Sequence, residues 1–160
     1  MLIRKLALLG ALTAATFALG TSVVFAGECP ADARVAAGKG QKVGATEPKD
    51  VTDMVLATID LSKEKANVKD RLFRMRQLVV QPGGIVPWHD HGDRPAIIYI
   101  ISGEITEFAS NCRVPIVHKG GEVSHESIGL QHWWKNEGTV PAVLISADIF
   151  HVQDPKKNMM

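Results

Sequence analysis

The sequence predicts an all-β domain, a sandwich or a barrel built from short strands. Short runs rich in β-branched residues recur after residue 50, and turns containing Gly, Pro or Ser separate them. This alternation is typical of sandwiches and barrels. The predicted strands are 54–61, 71–80, 96–101, 104–109, 115–117, 132–135 and 142–152. The predicted turns are 81–84, 102–103, 119–121 and 136–138. Only 62–70 has the pattern of a short helix.

The first 26 residues have the pattern of an export signal. Arg4 and Lys5 precede an uncharged stretch that continues to Ala26, and Val24 and Ala26 stand where signal peptidase needs short side chains. An uncharged run of this length could also anchor the chain in a membrane, but its two glycines and four hydroxyl residues disfavour a stable span. We therefore expect export of the unfolded chain, cleavage after Ala26, and a periplasmic or secreted protein without stable membrane insertion.

Charge and composition exclude a strongly charged partner. Removal of residues 1–26, whose only charged side chains are Arg4 and Lys5, leaves 134 of 160 residues and changes the formal charge from +1 to −1. Charged residues make up 22% of the chain and hydrophobic ones 46%, which is the balance of a globular domain and not of a basic nucleic-acid-binding protein. We expect an arm or linker over 27–50, one β-barrel domain over 51–154 and a tail over 155–160.

Cys29 and Cys112 are the only cysteines, and an oxidising compartment allows them to pair. A bridge across so long a loop would stabilise the fold by about 4–5 kcal/mol on the chain-entropy model. Two free thiols, or one reactive thiol, are the alternative, because the sequence does not fix the distance between them. The sequence alone leaves both interpretations open.

All six histidines lie in the C-terminal half, and three of them are arranged like metal ligands. His89 and His91 are two residues apart in an extended segment, so their side chains point to the same face. His132 begins a predicted strand and is the best third ligand. Three imidazoles suit a divalent transition metal and leave coordination positions open for water or substrate. The metal, whether Fe, Zn, Cu, Mn or Ni, is not identified by the spacing.

Two spaced motifs around these histidines resemble the motifs of the cupin superfamily. The first consists of Gly83, His89, His91 and Gly103. The second consists of Gly121, Ser127, Gly129, His132 and Asn136, with Ser127 where proline is usual. The resemblance covers residues 71–152. It implies a small single-domain cupin: a double-stranded β-helix, which is a jelly-roll-like barrel, with a metal site inside its mouth.

This sequence departs from the cupin pattern at Ala96, which occupies the position of a glutamate ligand in the first motif. The resemblance therefore carries over only the three histidines, as in three-His cupins such as thiol dioxygenases and diketone-cleaving dioxygenases. A divalent ion would then keep a net charge of +2 and favour anionic, chelating ligands. Alternatively, Glu126 or Glu107 restores a carboxylate. For Glu126, a solvated position in a loop is an equally good interpretation.

No residue has a clear catalytic role. The candidates are Glu126, His125 and Arg94. Histidine is the residue type that most often acts as an acid or base, which makes His125 a candidate, although an ordinary surface histidine is the simpler interpretation. Arg94 either clamps a substrate carboxylate or pairs with a neighbouring aspartate.

Strand alternation gives expectations for other side chains near the motifs. It places Trp134 on the same side as His132, where it would line the pocket, and Tyr99 on the same side as His91. The remaining histidines are expected to be ordinary strand residues. They are His118 and His151.

Two functions follow from the predicted site. One is an exported dioxygenase-like oxidoreductase that acts on a small anionic or chelating substrate. The other is a non-catalytic periplasmic protein that captures a small ligand or a metal, and the missing glutamate favours it. A metal-free isomerase or structural cupin fits less well, because both histidine motifs are intact. The resemblance also allows a homodimer, formed through the N-terminal segment or an exposed sheet edge.

Overall fold

The computed structural model describes residues 27–151, which form one antiparallel sheet curled into a nearly closed barrel. The strands are β1 (Lys49–Asp60), β2 (Arg71–Asp90), β3 (Ala96–Ser102), β4 (Glu104–Ala109), β5 (Ile116–Lys119), β6 (Val123–Glu126), β7 (Gln131–Lys135) and β8 (Ala142–His151). Their order in the sheet is β5-β4-β7-β2-β8-β3-β6, and β1 pairs with β2. The predicted all-β, jelly-roll-like fold is confirmed. The predicted signal peptide (1–26) and tail (155–160) lie outside the described residues.

Strand β2 is one continuous strand of 20 residues and passes through the segment 81–84 that the sequence predicted as a turn. Its first half pairs with β1 and β8, and its second half pairs with β7. The change of partner falls at Gly83, whose φ of +76° is a backbone conformation that favours glycine. The Gly/Pro signal therefore marks a change of pairing within a strand, and the prediction of a chain reversal was wrong.

Two further elements differ from the expectations. The predicted helix over 62–70 is a series of turns, because Asp60 accepts hydrogen bonds from the backbone and hydroxyl of Ser62, and Asn67 and Asp70 have positive φ. Strand β6 was not predicted at all. It has four residues and only one of them, Val123, is apolar, so no hydrophobic run marks it.

The barrel interior is apolar at one end and charged at the other. Apolar side chains form a buried cluster around Val80, Ile100 and Leu144. Toward the opposite end of β2 and β8, the buried side chains are Arg74, Arg76, Ser146 and Asp148. Charges this deep require partners. Arg74 makes a two-pronged contact with Asp148 at 3.0 and 2.7 Å, which satisfies that requirement.

A disulfide between Cys29 and Cys112 holds the N-terminal arm to the barrel. The sequence left open whether these cysteines pair or remain free thiols, and in the structure they are paired. Both cysteines pack in a second cluster with Ala33, Ile116 and Leu130. The arm continues along the barrel through backbone hydrogen bonds, and β1 begins inside the stretch assigned to the arm. Over residues 27–151 no helix is long and apolar enough to cross a membrane.

The disulfide should make a large contribution to stability. We expect the double variant Cys29→Ser/Cys112→Ser to lose up to about 4–5 kcal/mol of unfolding free energy, because the bridge closes a long loop in the unfolded chain. Urea denaturation of the parent protein and the double variant, both without reductant, measures the difference. Reductant should destabilise only the parent protein. An equal effect of reductant on the double variant would contradict this assignment.

Candidate metal centre

Three histidines and one glutamate converge inside the barrel. One potential ligand atom from each of His89, His91, Glu126 and His132 lies within 4.8 Å of the other three. The Nε2 atoms of His89 and His132 are 3.1 Å apart, and His91 Nε2 is 3.0 Å from Glu126 Oε2. The second Glu126 oxygen lies 3.5 Å from His132 Nε2. The structure thus brings together the three histidines predicted from the motifs and adds a carboxylate.

Strand pairing brings these four side chains close together. His89 on β2 lies directly opposite His132 on β7. His91 follows the end of β2, and its backbone N–H donates to Leu130 just before β7. Glu126 ends β6 and pairs with Ala96 on β3, the residue that replaces the glutamate of the cupin motif. Directly opposed residues in a sheet project to the same side. Glu126 therefore reaches the region that a glutamate at position 96 would occupy.

The interpretation that the carboxylate is missing is therefore replaced by the alternative in which Glu126 supplies it. Glu126 is 4% exposed, so it is not a solvated loop residue. With Glu126 ionised, a bound divalent ion would carry a net charge of +1 instead of +2. Glu107, the other carboxylate considered from the sequence, is also buried, but it contacts the outer nitrogen of His132.

Hydrogen bonds on the outer nitrogens fix the imidazoles in the form that binds a metal. His89 Nδ1 donates to the carbonyl of Pro87 and His91 Nδ1 to the carbonyl of Arg94, both at 2.8 Å. An imidazole that donates through Nδ1 presents a lone pair at Nε2 when it is neutral. His91 Nε2 is buried and makes no hydrogen bond, since its close approach to Glu126 lacks hydrogen-bond alignment.

The third imidazole is fixed by a carboxylate. His132 Nδ1 lies 2.5 Å from Glu107 Oε1 and 3.1 Å from Trp134 Nε1. We place a proton on Nδ1, because the contact with Glu107 is much the shorter and a carboxylate can only accept. The Nε2 atoms of His89 and His132 then face each other with lone pairs, which a cation between them would satisfy. This donor set fits a divalent transition metal.

Glu107 links His132 to a second buried histidine. Its other oxygen accepts from His118 Nε2 at 2.8 Å, and the His118 ring stacks on Trp134 with centroids 4.6 Å apart. His118 was expected to be an ordinary strand histidine, and the structure instead places it in the support of a ligand. Alternation places Glu107 on one face of β4 and His118 on one face of β5, but only the structure shows that these faces point inward.

Burial keeps two of the ligands neutral. It lowers the pKa of His89 well below the ordinary value, and together with His132 it lowers the pKa of His91 to about 3. Burial also raises the pKa of Glu126 to about 7, against the opposing effect of His132. In the metal-free protein His89 and His91 are therefore ready to bind a metal at neutral pH, whereas Glu126 still exchanges a proton.

In the pair formed by His132 and Glu107, the pKa of the histidine is raised and that of the glutamate is lowered. Burial lowers the pKa of His132, but the Glu126 and Glu107 carboxylates outweigh burial and raise it. Burial raises the pKa of Glu107, but the His132 charge and hydrogen bonds from His118 and His132 lower it to about 2. Glu107 therefore stays ionised and holds the His132 ring in place.

The other candidates lie outside the ligand cluster. His125 is exposed and points away from Glu126 along β6. Arg94 is buried, offers its carbonyl to His91, and its Nε lies 3.9 Å from Asp148.

Two expectations about the surrounding side chains have different outcomes. Trp134 is buried and lines the cavity beside the cluster, as expected. Tyr99 is 45% exposed and points outward. The prediction for Tyr99 was wrong because β2 ends at Asp90 and β3 begins at Ala96, so alternation does not continue across the connection. His151 lies at the surface, 2.8 Å from Asp93.

A small cavity of about 30 Å³ adjoins the cluster. Sequence reasoning missed its polar residues, Arg76 and Ser146. Arg76 Nη1 contacts Asp53 at 2.5 Å and Nη2 contacts Ser146 at 3.2 Å, while Nε is buried and makes no hydrogen bond. The remaining wall residues are mostly apolar. They are Leu78, Val86, Ile98, Trp134 and Leu144. Arg74 and Arg76 alternate with Phe73 and Met75 in the sequence. This pattern would ordinarily predict that the arginines face the solvent, so it did not indicate a polar cavity.

An antiparallel barrel with three histidines and a carboxylate inside it defines a class of β-barrel proteins with a candidate transition-metal site. Residues 76–148 match the family model described as the Cupin domain, Cupin_2. This match supports the membership of the cupin superfamily that the motifs predicted.

Individual relatives are distant or partial. Nectarin-1 of Nicotiana langsdorffii x Nicotiana sanderae is 39% identical over 69 residues, which are 41% of this chain and 30% of nectarin-1, so the match spans less than a third of that relative. The Cnp3 cupin domain of Schizosaccharomyces pombe has a TM-score of 0.51 at 15% identity over 71% of this chain and 74% of its own. An RmlC-like cupin of Shewanella frigidimarina has a TM-score of 0.50 at 12% identity over 75% and 93%. Both structures show the likeness of fold alone.

The pairing of Ala96 with Glu126 makes the source of the carboxylate testable. We expect Glu126→Ala to weaken Zn²⁺ binding by 10-fold or more, and the double variant Ala96→Glu/Glu126→Ala to recover part of the loss, because both positions project to the same place. Competition with a chromophoric chelator measures the affinities. Glu64→Ala, which removes an exposed carboxylate from the turn after β1, is the control. Equal affinities for Glu126→Ala and the control would contradict the assignment.

Metal affinity should fall as the pH drops below 7. The pKa of Glu126 is raised to about 7 and that of His132 is also raised, so a metal must displace protons from both in acid. We expect the Zn²⁺ dissociation constant to rise about tenfold per pH unit for each displaced proton and to level off once the pH exceeds both pKa values. Chelator competition from pH 5.5 to 8.5 measures the slope. Glu126→Gln should reduce it by about one proton, and an unchanged slope would contradict the role of Glu126.

Proposed function

We propose that this cupin is an exported, metal-dependent oxidoreductase of the dioxygenase type that acts on a small anionic or chelating substrate. The observation that carries the proposal is the convergence of three imidazoles and the Glu126 carboxylate beside a small, mostly apolar cavity. A divalent transition metal, when bound, supplies Lewis-acid and one-electron chemistry to ligands that reach it.

One group of residues would bind the metal, and a second group orients the side chains of the first. His89, His91, His132 and Glu126 would bind it. The Pro87 and Arg94 carbonyls and the Glu107 carboxylate orient the imidazoles, and such outer partners are worth 10–100-fold in metal affinity. The net charge of +1 left after Glu126 binds still attracts an anion, although less strongly than the +2 expected from three histidines.

The cavity adds a second positive group for a substrate. Arg76 lines it, and the buried Nε–H of Arg76 is a donor without a partner. We infer that a substrate carboxylate accepts from this N–H and from Ser146, while the other end of the substrate reaches the metal. The cavity has space for about two water molecules, so the substrate is a short acid. Trp134, Leu78 and Leu144 would exclude water around it.

Export is supported by the Cys29–Cys112 disulfide, since disulfides persist in oxidising compartments. A protein that folds outside the cytoplasm binds whichever metal is supplied there. Intrinsic affinity rises toward copper along the first-row series, so iron, manganese or nickel would need a favourable supply to compete with copper and zinc. The proposal therefore leaves the metal open among Fe, Zn, Cu, Mn and Ni.

A non-catalytic function in capturing a small ligand or a metal is the second candidate. The observation that favours it is the cavity lining within residues 27–151. Its ionisable side chains are the metal-binding residues and Arg76, so none of them is free to act as a general base. The two candidates predict the same binding and differ only in turnover.

Oxygen uptake distinguishes the two candidates. Protein purified from its own compartment is analysed for metal and offered short 2-oxo acids, thiol acids and diketones while dissolved O₂ is followed. We expect O₂ uptake together with loss of one substrate class, and neither metal nor uptake in the triple variant His89→Ala/His91→Ala/His132→Ala. Binding that changes the metal spectrum without O₂ uptake would establish the second candidate. Equal metal content in the parent and the triple variant would refute both.

The proposed role of Arg76 in binding a carboxylate can be tested on the same protein, with an uncharged diketone as the control ligand. We expect Arg76→Lys to weaken the binding of carboxylates about tenfold, because lysine keeps the charge but loses the fixed geometry of the guanidinium. Binding of an uncharged diketone and the metal content should not change. Equal losses for acids and diketones would show that the variant disturbs the barrel rather than the recognition of a carboxylate.

A further inference from the structure

We propose that the α-amino group created by cleavage after Ala26 docks on the barrel, where it donates hydrogen bonds to His118 and Glu122. The inference rests on the export proposed above, and it is independent of the metal and of turnover. Three observations carry it: a buried histidine nitrogen without a partner, the space beside Gly27, and the disulfide that fixes the chain there.

One nitrogen of the His118 ring is buried without a hydrogen bond. Nε2 lies 2.8 Å from the Glu107 carboxylate, which can only accept, so the ring donates through Nε2. The neutral ring then has a lone pair at Nδ1. This atom has no hydrogen-bond partner, and the side chain that carries it is 0% exposed. A buried acceptor without a donor destabilises the fold, so Nδ1 calls for a donor.

Gly27 lies beside this nitrogen. A carbon added at the ideal Cβ position of Gly27 would stand 3.0 Å from His118 Nδ1 and 3.2 Å from Glu122 Oε2. Both distances are short for a carbon atom, but they are ordinary for a nitrogen that donates a hydrogen bond. The next atom outside residues 26–28 is Glu122 Cβ, 3.5 Å away. A nitrogen with at least two hydrogens therefore fits this point without a clash.

A free amino group on Gly27 reaches the point by one rotation. The N–Cα bond is about 1.46 Å long, close to the length of a Cα–Cβ bond. A turn of about 120° around the Cα–C bond, one of the two soft backbone torsions, therefore carries the nitrogen to the Cβ position. In the uncut chain this rotation would carry the preceding residue along, and an amide nitrogen has a single hydrogen to donate. An α-ammonium has three, so only the cut chain can satisfy both acceptors.

The second acceptor is held in place by its own turn. Glu122 Oε2 accepts from the backbone N–H of Lys119 at 2.9 Å, within the turn that joins β5 to β6. A carboxylate oxygen has two lone pairs, so Oε2 keeps one for the amino group. Glu122 is partly buried, and a hydrogen bond between an ammonium and a carboxylate is stronger than one between neutral groups.

The disulfide holds the start of the arm close to the two acceptors. Cys29 is bonded to Cys112, and its carbonyl oxygen accepts from Arg34 Nε at 3.0 Å. Gly27 lies only two residues before Cys29, so few torsions remain to be ordered when the amino group docks. Gly27 and Glu107 line the same cavity, of about 310 Å³, which leaves room for the amino group to turn.

Docking would complete a line of polar contacts from the amino end of the chain to a candidate metal ligand. The ammonium donates to His118 Nδ1, His118 Nε2 donates to Glu107, and the other oxygen of Glu107 contacts His132. The proton of His118 is thereby kept on Nε2, the atom that supports Glu107. His118 is a positioning residue in this arrangement, and the cut end of the chain fixes its ring.

The N-terminal residue of the exported protein and the coupling of its amino group to Glu122 test the proposal. Mass spectrometry should find a chain that begins at Gly27. A chain that begins there is then compared with one that keeps Ala26 before it, each released from a fusion by a specific protease and each with and without Glu122→Gln. We expect the extra residue to lower the folding equilibrium constant about tenfold in the parent and much less in Glu122→Gln, which has no charge to attract the ammonium. Glu64→Gln, at an exposed position after β1, is the control and should behave like the parent.

Acetylation of the α-amino group gives a second measurement that needs no unfolding. We expect the amine of Gly27 to react severalfold more slowly than the amine of the chain that keeps Ala26, and Glu122→Gln to remove the difference. An exported chain that begins elsewhere would refute cleavage after Ala26 and this proposal with it. A chain that begins at Gly27 without coupling to Glu122 would refute the docking alone and leave export standing. An additional Zn²⁺ ion per chain that Glu122→Gln abolishes would assign the two acceptors to a metal, and this result would also overturn the proposal.

Discussion

The structure depends on the way in which one strand, β2, pairs with three others. Its first half lies between β1 and β8, and its second half lies beside β7. Because the strand is continuous through Gly83, it connects the buried arginines at one end to His89 at the other. The pairing of His89 with His132 then follows from the register of β2 with β7. A break at Gly83 would separate the candidate metal ligands from the cavity that adjoins them.

The sequence was sufficient for the fold class and for the three histidines, but not for the fourth donor. His89 and His91 are recognisable because their spacing within one segment fixes a common face, and the glycines of the motif mark the turns around them. Glu126 has no such local signal. Its place in the cluster depends on its register opposite Ala96, a relation between two strands, and it lies on the strand that sequence patterning missed.

The same limitation explains Glu107, His118 and Arg76. Each is a polar residue with an apolar neighbour on only one side (Phe108, Val117 and Met75), and period-2 alternation alone cannot tell which set faces inward. The usual assignment of apolar residues to the core is correct for Ile100 and Leu144 and incorrect for β2 between Phe73 and Met75. The charge balance of the chain does not predict the buried arginines either, since it does not distinguish buried guanidinium groups from surface ones.

The polar interior has a consequence for stability. Burying ions costs free energy that partners such as Asp148 only partly recover, so the charged end of the barrel contributes less to folding than its apolar end. Stability must then come from the cluster around Val80 and from the disulfide that holds the arm. Between Phe73 and Met75 the usual polarity of the strand is inverted, which places Arg74 and Arg76 inside the barrel and Arg76 beside the candidate metal site.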